Sequence, residues 1–164
     1  MSEFCIHGIS AIILRLINGE KHILIQKRKK GRESFETGLI EVPCGKVRRQ
    51  ESVFECLRNK VLLETGLVIT KIYGENDYEI KELNQYKVIN YTPFFSAQNI
   101  LDNYPIVIET FICEADGEPV FESKDAKNIH WISLRDLKGL LEDKKELFYP
   151  MVVESLRRFI DLSL

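Results

Sequence analysis

Residues 45–67 read GKVRRQESVFECLRNKVLLETGL and hold most of the groups in this chain whose spacing suggests chemistry. A glycine opens the stretch, Glu51 follows six residues on, and Glu64-Thr65-Gly66-Leu67 closes it. Positions 60, 63 and 64 stand at i, i+3 and i+4, so on a helix they share one face. A metal-binding helix would want carboxylates there. This face carries Lys60, Leu63 and Glu64 instead. Lys60 has two readings. It is an exposed helix lysine paired with Glu64 at i, i+4, or its ammonium replaces a metal's charge and holds a phosphate directly.

The elements around the stretch must position these groups. Ser52 with Glu55 three residues on is a capping box, which places a helix start near Ser52. Val53, Phe54, Leu57 and Val61 form its apolar stripe, and Gly66 suits the stop. The capping box also accounts for Glu55, which faces away from Glu64. Upstream, ISAIILRLI and HILIQKR read as strands joined at Asn18-Gly19, a hairpin signal. A turn-like region over 31–37 leads into GLIEVP, a short strand ending at Pro43.

Downstream, LVITKIYG reads as a strand, and PIVIETFICEA as another ending in a second hairpin turn at Asp116-Gly117. Between them, residues 75–104 carry the weakest pattern, with YKVINYTPFF assigned as strand. IHWISL is a short strand, and Ser133 with Asp136 caps a helix to about Glu142. Pro150 opens a last helix, with Met151, Val152, Leu156, Phe159 and Ile160 as its buried stripe. These elements predict a single α/β domain over 1–164, a mixed sheet sandwiched between helices.

Composition narrows the function classes. A net charge of −2 gives no global attraction to nucleic acid or to anionic membrane. The run Lys27-Arg28-Lys29-Lys30 with Arg32 is a solvated strand end or a phosphate contact, and alone it makes no nucleic-acid case. His7 and Arg15 interrupt the apolar residues 4–17, so these read as neither signal peptide nor membrane span. The four cysteines lack metal or disulfide spacing and read as free thiols, giving a cytoplasmic location by default. His7, His22 and His130 are scattered strand residues. Tyr73, Tyr78, Tyr86 and Tyr91 can stack a base or pack in the core.

The stretch resembles the Nudix superfamily of pyrophosphohydrolases, whose box runs glycine, five residues, Glu, seven residues, then R-E-U-x-E-E-x-G-U with U aliphatic. Gly45, Glu51 and the segment Asn59 to Leu67 fit this frame without a gap. GLIEVPCGKV resembles the strand and loop before the box, with Cys44 in place of a glycine. QKR at 26–28 and IHWISLRDL at 129–137 also sit where members carry similar segments. The resemblance implies hydrolysis of a nucleoside-diphosphate derivative with Mg²⁺ or Mn²⁺.

The carried-over positions put Glu64 in the catalytic and metal-binding role. Asp125, six residues before Trp131, falls where members place a further catalytic acid. Arg28 and Lys46 match positions that approach substrate phosphate, and Lys60 joins them on its second reading. For Asp125, Glu122 and Glu41 the alternative is a solvated carboxylate. Members pair the Glu51 position with an arginine; Asn59 can hydrogen-bond Glu51 but adds no charge.

Two functions follow. One is a Nudix hydrolase of a nucleotide-like small molecule with weak or altered metal dependence. The other is a degenerate Nudix domain that binds a nucleotide, a phosphate ligand or a protein partner without turnover. Oligomeric state stays open, a homodimer being common among members.

Overall fold

The computed structural model describes residues 3–29 and 36–164. β1 (Ile6–Ile17) and β2 (Glu20–Arg28) are joined by the two-residue turn Asn18-Gly19, both at positive φ. That twist is what this dipeptide supplies in a hairpin. Two short strands follow, β3 (Ile40–Glu41) and β4 (Cys44–Lys46), and then α1 (Val53–Thr65). β5 (Val68–Ile72), β6 (Glu79–Leu83), β7 (Tyr86–Asn90), β8 (Phe95–Gln98) and β9 (Ile106–Asp116) come next. β10 (Ala126–Ser133), α2 (Leu134–Asp143) and α3 (Pro150–Ser163) complete the order.

The main sheet runs β10-β2-β1-β9-β5, with β3 on β2, β4 on β1 and β8 on β9. Only β1 and β9 pair in parallel, so the sheet is mixed. Alternation along β1 sends Ile9, Ala11 and Ile13 against Val53, Phe54, Leu57 and Val61 of α1. Ile12 goes to the opposite face, with Ile23 and Ile25, against Leu137, Val152, Leu156 and Phe159 of α2 and α3. A sheet apolar on both faces must be covered on both, and the three helices do this. The expected mixed sheet between helices is what forms.

The helix ends follow the capping chemistry. Glu55 N–H donates to Ser52 Oγ at 3.1 Å while Ser52 N–H donates to Glu55 at 2.9 Å, so two otherwise unpaired donors are satisfied. Gly66 ends α1 at φ 80°, a left-handed position that glycine adopts without penalty.

Two expectations are corrected, and one feature is added. Asp116-Gly117 makes no hairpin: Gly117 has φ 103°, and the chain crosses over residues 117–125 so that β10 pairs with β2 rather than β9. The crossover is compelled because β9 already has β1 and β5 on its two sides. YKVINYTPFF is not one strand, since β7 ends at Asn90 and β8 begins at Phe95, with Pro93 between them unable to donate a ladder bond. β6 and β7 form a separate two-stranded sheet that the sequence pattern did not show. Lys30, Arg32 and most of the turn-like 31–37 region lie outside the described residues.

Candidate functional site

β1 pairs with β4 through Gly8–Ser10 and with β2 only through Leu14–Ile17. The far end of β2 therefore splays from β4. Gln26 and Arg28 of β2, Glu41 of β3 and residues 44–46 of β4 line the resulting fork, with α1 closing one side. A cavity of about 550 Å³ occupies this region. Arg28, Lys46, Arg48 and Lys60 line it together with Glu36, Glu41, Glu64 and Asp125, and Tyr104, Tyr149, Ile106 and Ile108 form its less polar wall.

Arg28 Nη1 donates to Glu41 Oε2 at 2.7 Å, its Nη2 lies 3.5 Å from Glu36, and its guanidinium stacks 4.3 Å from the centre of the Tyr149 ring. Burial opposes this charge, but the adjoining Glu41 carboxylate outweighs it and raises the Arg28 pKa. Burial pushes Glu41 up, and Arg28, Gln26 and Cys44 pull it back by donating to it. Cys44 Sγ donates to Glu41 at 3.5 Å, and burial keeps the thiol well above its usual pKa.

Glu64 is 9% exposed. Gln26 Nε2 donates to it at 3.1 Å and the Cys44 backbone N–H at 3.3 Å, and the same Gln26 nitrogen reaches Glu41 at 3.4 Å. Burial, then the charges of Glu41 and Asp125, push Glu64 up to about 8 against the lowering by those two donors. At neutral pH it is mainly the neutral acid.

Lys60 is a turn earlier on α1. A Cβ on Gly45 would stand 2.4 Å from Lys60 Cγ and 2.7 Å from its Cε, so the lysine stem lies directly on this glycine. The bareness of Gly45 admits it. Among the described residues no ion pair joins Lys60 to Glu64; the helical pairing read from the sequence is absent. Leu63 is 72% exposed and does not line the cavity. Asn59 Nδ2 does reach Glu51, at 3.4 Å, and Arg48 N–H holds the second oxygen of Glu51 at 3.1 Å. The loop clamp forms without the arginine. Cys44 is regular strand, bonded across to Ser10, and does not distort the loop.

The structure thus brings Glu64, Asp125, Arg28, Lys46 and Lys60 to one cavity. Glu41 belongs there too, nearly fully buried rather than a solvated carboxylate. Its signal was a lone charge inside the apolar run LIEV. Arg28 is not a free phosphate contact, because two carboxylates occupy it. Glu122 lies on the surface, 2.8 Å from Lys29. Tyr78 and Tyr91 pack on Phe54, Tyr73 and Tyr86 are exposed, and it is Tyr104 and Tyr149 that reach the cavity.

This donor set does not fit a divalent ion held by the helix in the expected way. Among the described residues no three His, Cys, Asp or Glu side chains converge on one point. Glu41 is answered by Arg28 at 2.7 Å, and Lys60 lines the same space as Glu64.

A mixed sheet thus lies between helices, with a glycine loop feeding a capped helix over a fork lined by charges of both signs. The chain belongs to the Nudix family: the NUDIX domain model matches residues 6–152. Solved structures share the fold. A MutT NUDIX hydrolase from Burkholderia pseudomallei is 23% identical, with 81% of this chain and 86% of that one covered at a TM-score of 0.59. The MutT protein from Methanosarcina mazei Go1 is 20% identical, with 99% of both chains covered at 0.62. The NUDIX domain of Shewanella oneidensis NrtR, solved in complex with ADP ribose, is 13% identical over 84% of this chain and 79% of that one at 0.61. At these identities the likeness is one of fold. No curated protein matches the chain.

Proposed function

We propose that this Nudix domain binds a nucleotide-like ligand by its phosphates, with Lys60, Lys46 and Arg48 supplying the positive charge that a helix-bound divalent ion would otherwise bring. The observation that carries this reading is Lys60. It occupies the first carboxylate position of the family frame, its stem lies on Gly45, and it lines the cavity. A charge pair about 4 Å apart is worth roughly 4 kcal/mol at an effective dielectric of 20, so one such ammonium matters to a phosphate. Arg28 keeps Glu41 and Glu36 in place rather than gripping ligand. Glu64, as the neutral acid, adds no repulsion toward an incoming anion.

A second reading rests on Asp125, which lines the same cavity as Glu64. Once Glu64 ionises above about pH 8, the pair can bind Mg²⁺ or Mn²⁺ together with substrate phosphates, giving a hydrolase with altered metal dependence. The four free thiols, Cys5, Cys44, Cys56 and Cys113, suit a reducing cytoplasm for either function. Lys29 pairs with Glu122, which breaks the basic run that a nucleic-acid role would need.

Titration of the protein with ADP ribose in EDTA tests the first reading. Binding that survives chelation and is lost in Lys60→Ala supports it. Binding only with Mg²⁺, accompanied by release of a nucleoside monophosphate, overturns it in favour of the second.

A further inference from the structure

The β6-β7 hairpin stands apart from the main sheet as a two-stranded sheet of its own. A hairpin alone is marginal in water, and this one is held to the domain by Ile89, which packs with Tyr78 and Tyr91 against the core that includes Phe54 of α1; its outer edge is left open. Its register runs from Glu79 opposite Asn90 to Leu83 opposite Tyr86, closed by Asn84 and Gln85 at φ 50° and 67°. A two-residue turn makes Leu83 and Tyr86 a hydrogen-bonded pair, and pairs then alternate along the ladder. Lys81 and Val88 bond each other. The N–H and C=O groups of Lys87 and Ile89 therefore point to the open edge of β7. Among the described residues no backbone bond from either leaves the hairpin. Leu83 and Tyr86 are each 72% exposed and Val88 is 42% exposed.

We propose that the β7 edge pairs antiparallel with β7 of a second copy about a two-fold axis at Val88, making a four-stranded sheet across a homodimer. The hydrogen-bond alternation and the charges select this arrangement. With the axis at Val88, Lys87 of each copy faces Ile89 of the other, so the outward-pointing groups meet as bonded pairs. Val88 then faces Val88 as a non-bonded pair, and Tyr86 faces Asn90. All five strand residues are used and no like charges are opposed.

The β6 edge does worse. Centring it on Lys81 sets lysine against lysine, centring on Glu82 sets Glu against Glu, and centring on Ile80 leaves three strand residues overlapping. Like charges directly opposite are destabilising. A β6-to-β7 contact would not close on itself and would run into open polymers. Glu79, Lys81, Glu82 and Lys87 balance to zero on each hairpin, with Lys81 3.3 Å from Glu79 and Lys87 4.0 Å from Glu82, so two hairpins approach without net repulsion.

Sedimentation velocity on the full chain, from about 1 to 200 µM, reads the result, because an edge-to-edge contact of this size gives a weak interface. The 19.1 kDa chain should shift toward twice that mass with rising concentration. Val88→Lys should weaken the dimer at least about tenfold, since it sets like charges on the axis. Its thermal midpoint should stay close to wild type, because the side chain is exposed.

A non-bonded pair has Cα atoms about 4.5 Å apart, within disulfide range. Val88→Cys treated with oxidised glutathione should therefore cross-link as a covalent dimer, each dimer reducing one glutathione disulfide to two thiols. Lys87→Cys, which faces Ile89, should cross-link no faster than wild type. A chain that stays monomeric at the highest concentration overturns the proposal. So does a dimer indifferent to Val88→Lys, or equal cross-linking at positions 87 and 88.

Discussion

Replacing Glu64 by Gln asks whether the buried acid carries a proton, and the structure sets the size of the effect. Glu64 is held near a pKa of 8 in the folded chain against 4.5 when exposed. Between those values the folded protein keeps a proton that the unfolded chain releases. Stability therefore falls as pH rises from 4.5 to about 8 and levels off above that. At about 1.4 kcal/mol per pH unit, the window sets a ceiling of roughly 5 kcal/mol.

Glutamine has the shape of the protonated acid, and its carbonyl accepts the same bonds from Gln26 Nε2 and the Cys44 N–H. Glu64→Gln should match wild type near pH 5 and exceed it by about 2–5 kcal/mol at pH 9. For a chain of this length that is a rise of several degrees in Tm. Urea unfolding of both proteins from pH 5 to 9 measures it, and the difference between them cancels the titrating groups that do not interact with Glu64. A gap that does not grow with pH would refute the reasoning. So would a wild type that is the more stable of the two at pH 9.

Gly45→Ala puts a Cβ where the Lys60 stem lies, so the lysine must swing out of its place on the loop. Affinity for ADP ribose in EDTA should fall by about tenfold, the order of one weakened charged contact; unchanged affinity in a calorimetric titration would contradict the role given to Lys60. Arg28→Met leaves Glu36 and Glu41 buried without their cation and should cost about 3 kcal/mol in urea unfolding at pH 8, less at pH 5, where protonation of Glu41, already raised by burial, relieves it.

Much of the fold was legible because local signals agreed with one another. The Ser52/Glu55 box, the Val53, Leu57 and Val61 stripe and Gly66 all marked the same helix, and Asn18-Gly19 marked the first hairpin. Local signals could not show the route after Asp116. A Gly at positive φ serves a crossover as well as a hairpin, and only the strands already flanking β9 decide between them. Of the β6-β7 hairpin only β7 was read, inside YKVINYTPFF; β6 and the pairing were hidden because β6 carries no apolar alternation and the turn, Asn84-Gln85, lacks the usual glycine. In the site, the Nudix frame located Glu64, Asp125, Lys46 and Lys60, all of which line the cavity. It raised Glu41 only as a candidate acid that could equally be solvated, and it did not point to Tyr149; both gain their meaning from Arg28, a residue brought beside them by strand pairing and helix packing. Nor could spacing reveal that Lys60 lies on Gly45 instead of pairing with Glu64.

The most direct test of the central claim is calorimetric titration of wild type and Lys60→Ala with ADP ribose, in EDTA and again in Mg²⁺, with products analysed after each run. Binding of equal strength in both buffers, loss of at least about tenfold in Lys60→Ala and intact ligand at the end are the predicted results. Binding that requires Mg²⁺, is indifferent to Lys60, and ends in a cleaved ligand would contradict it.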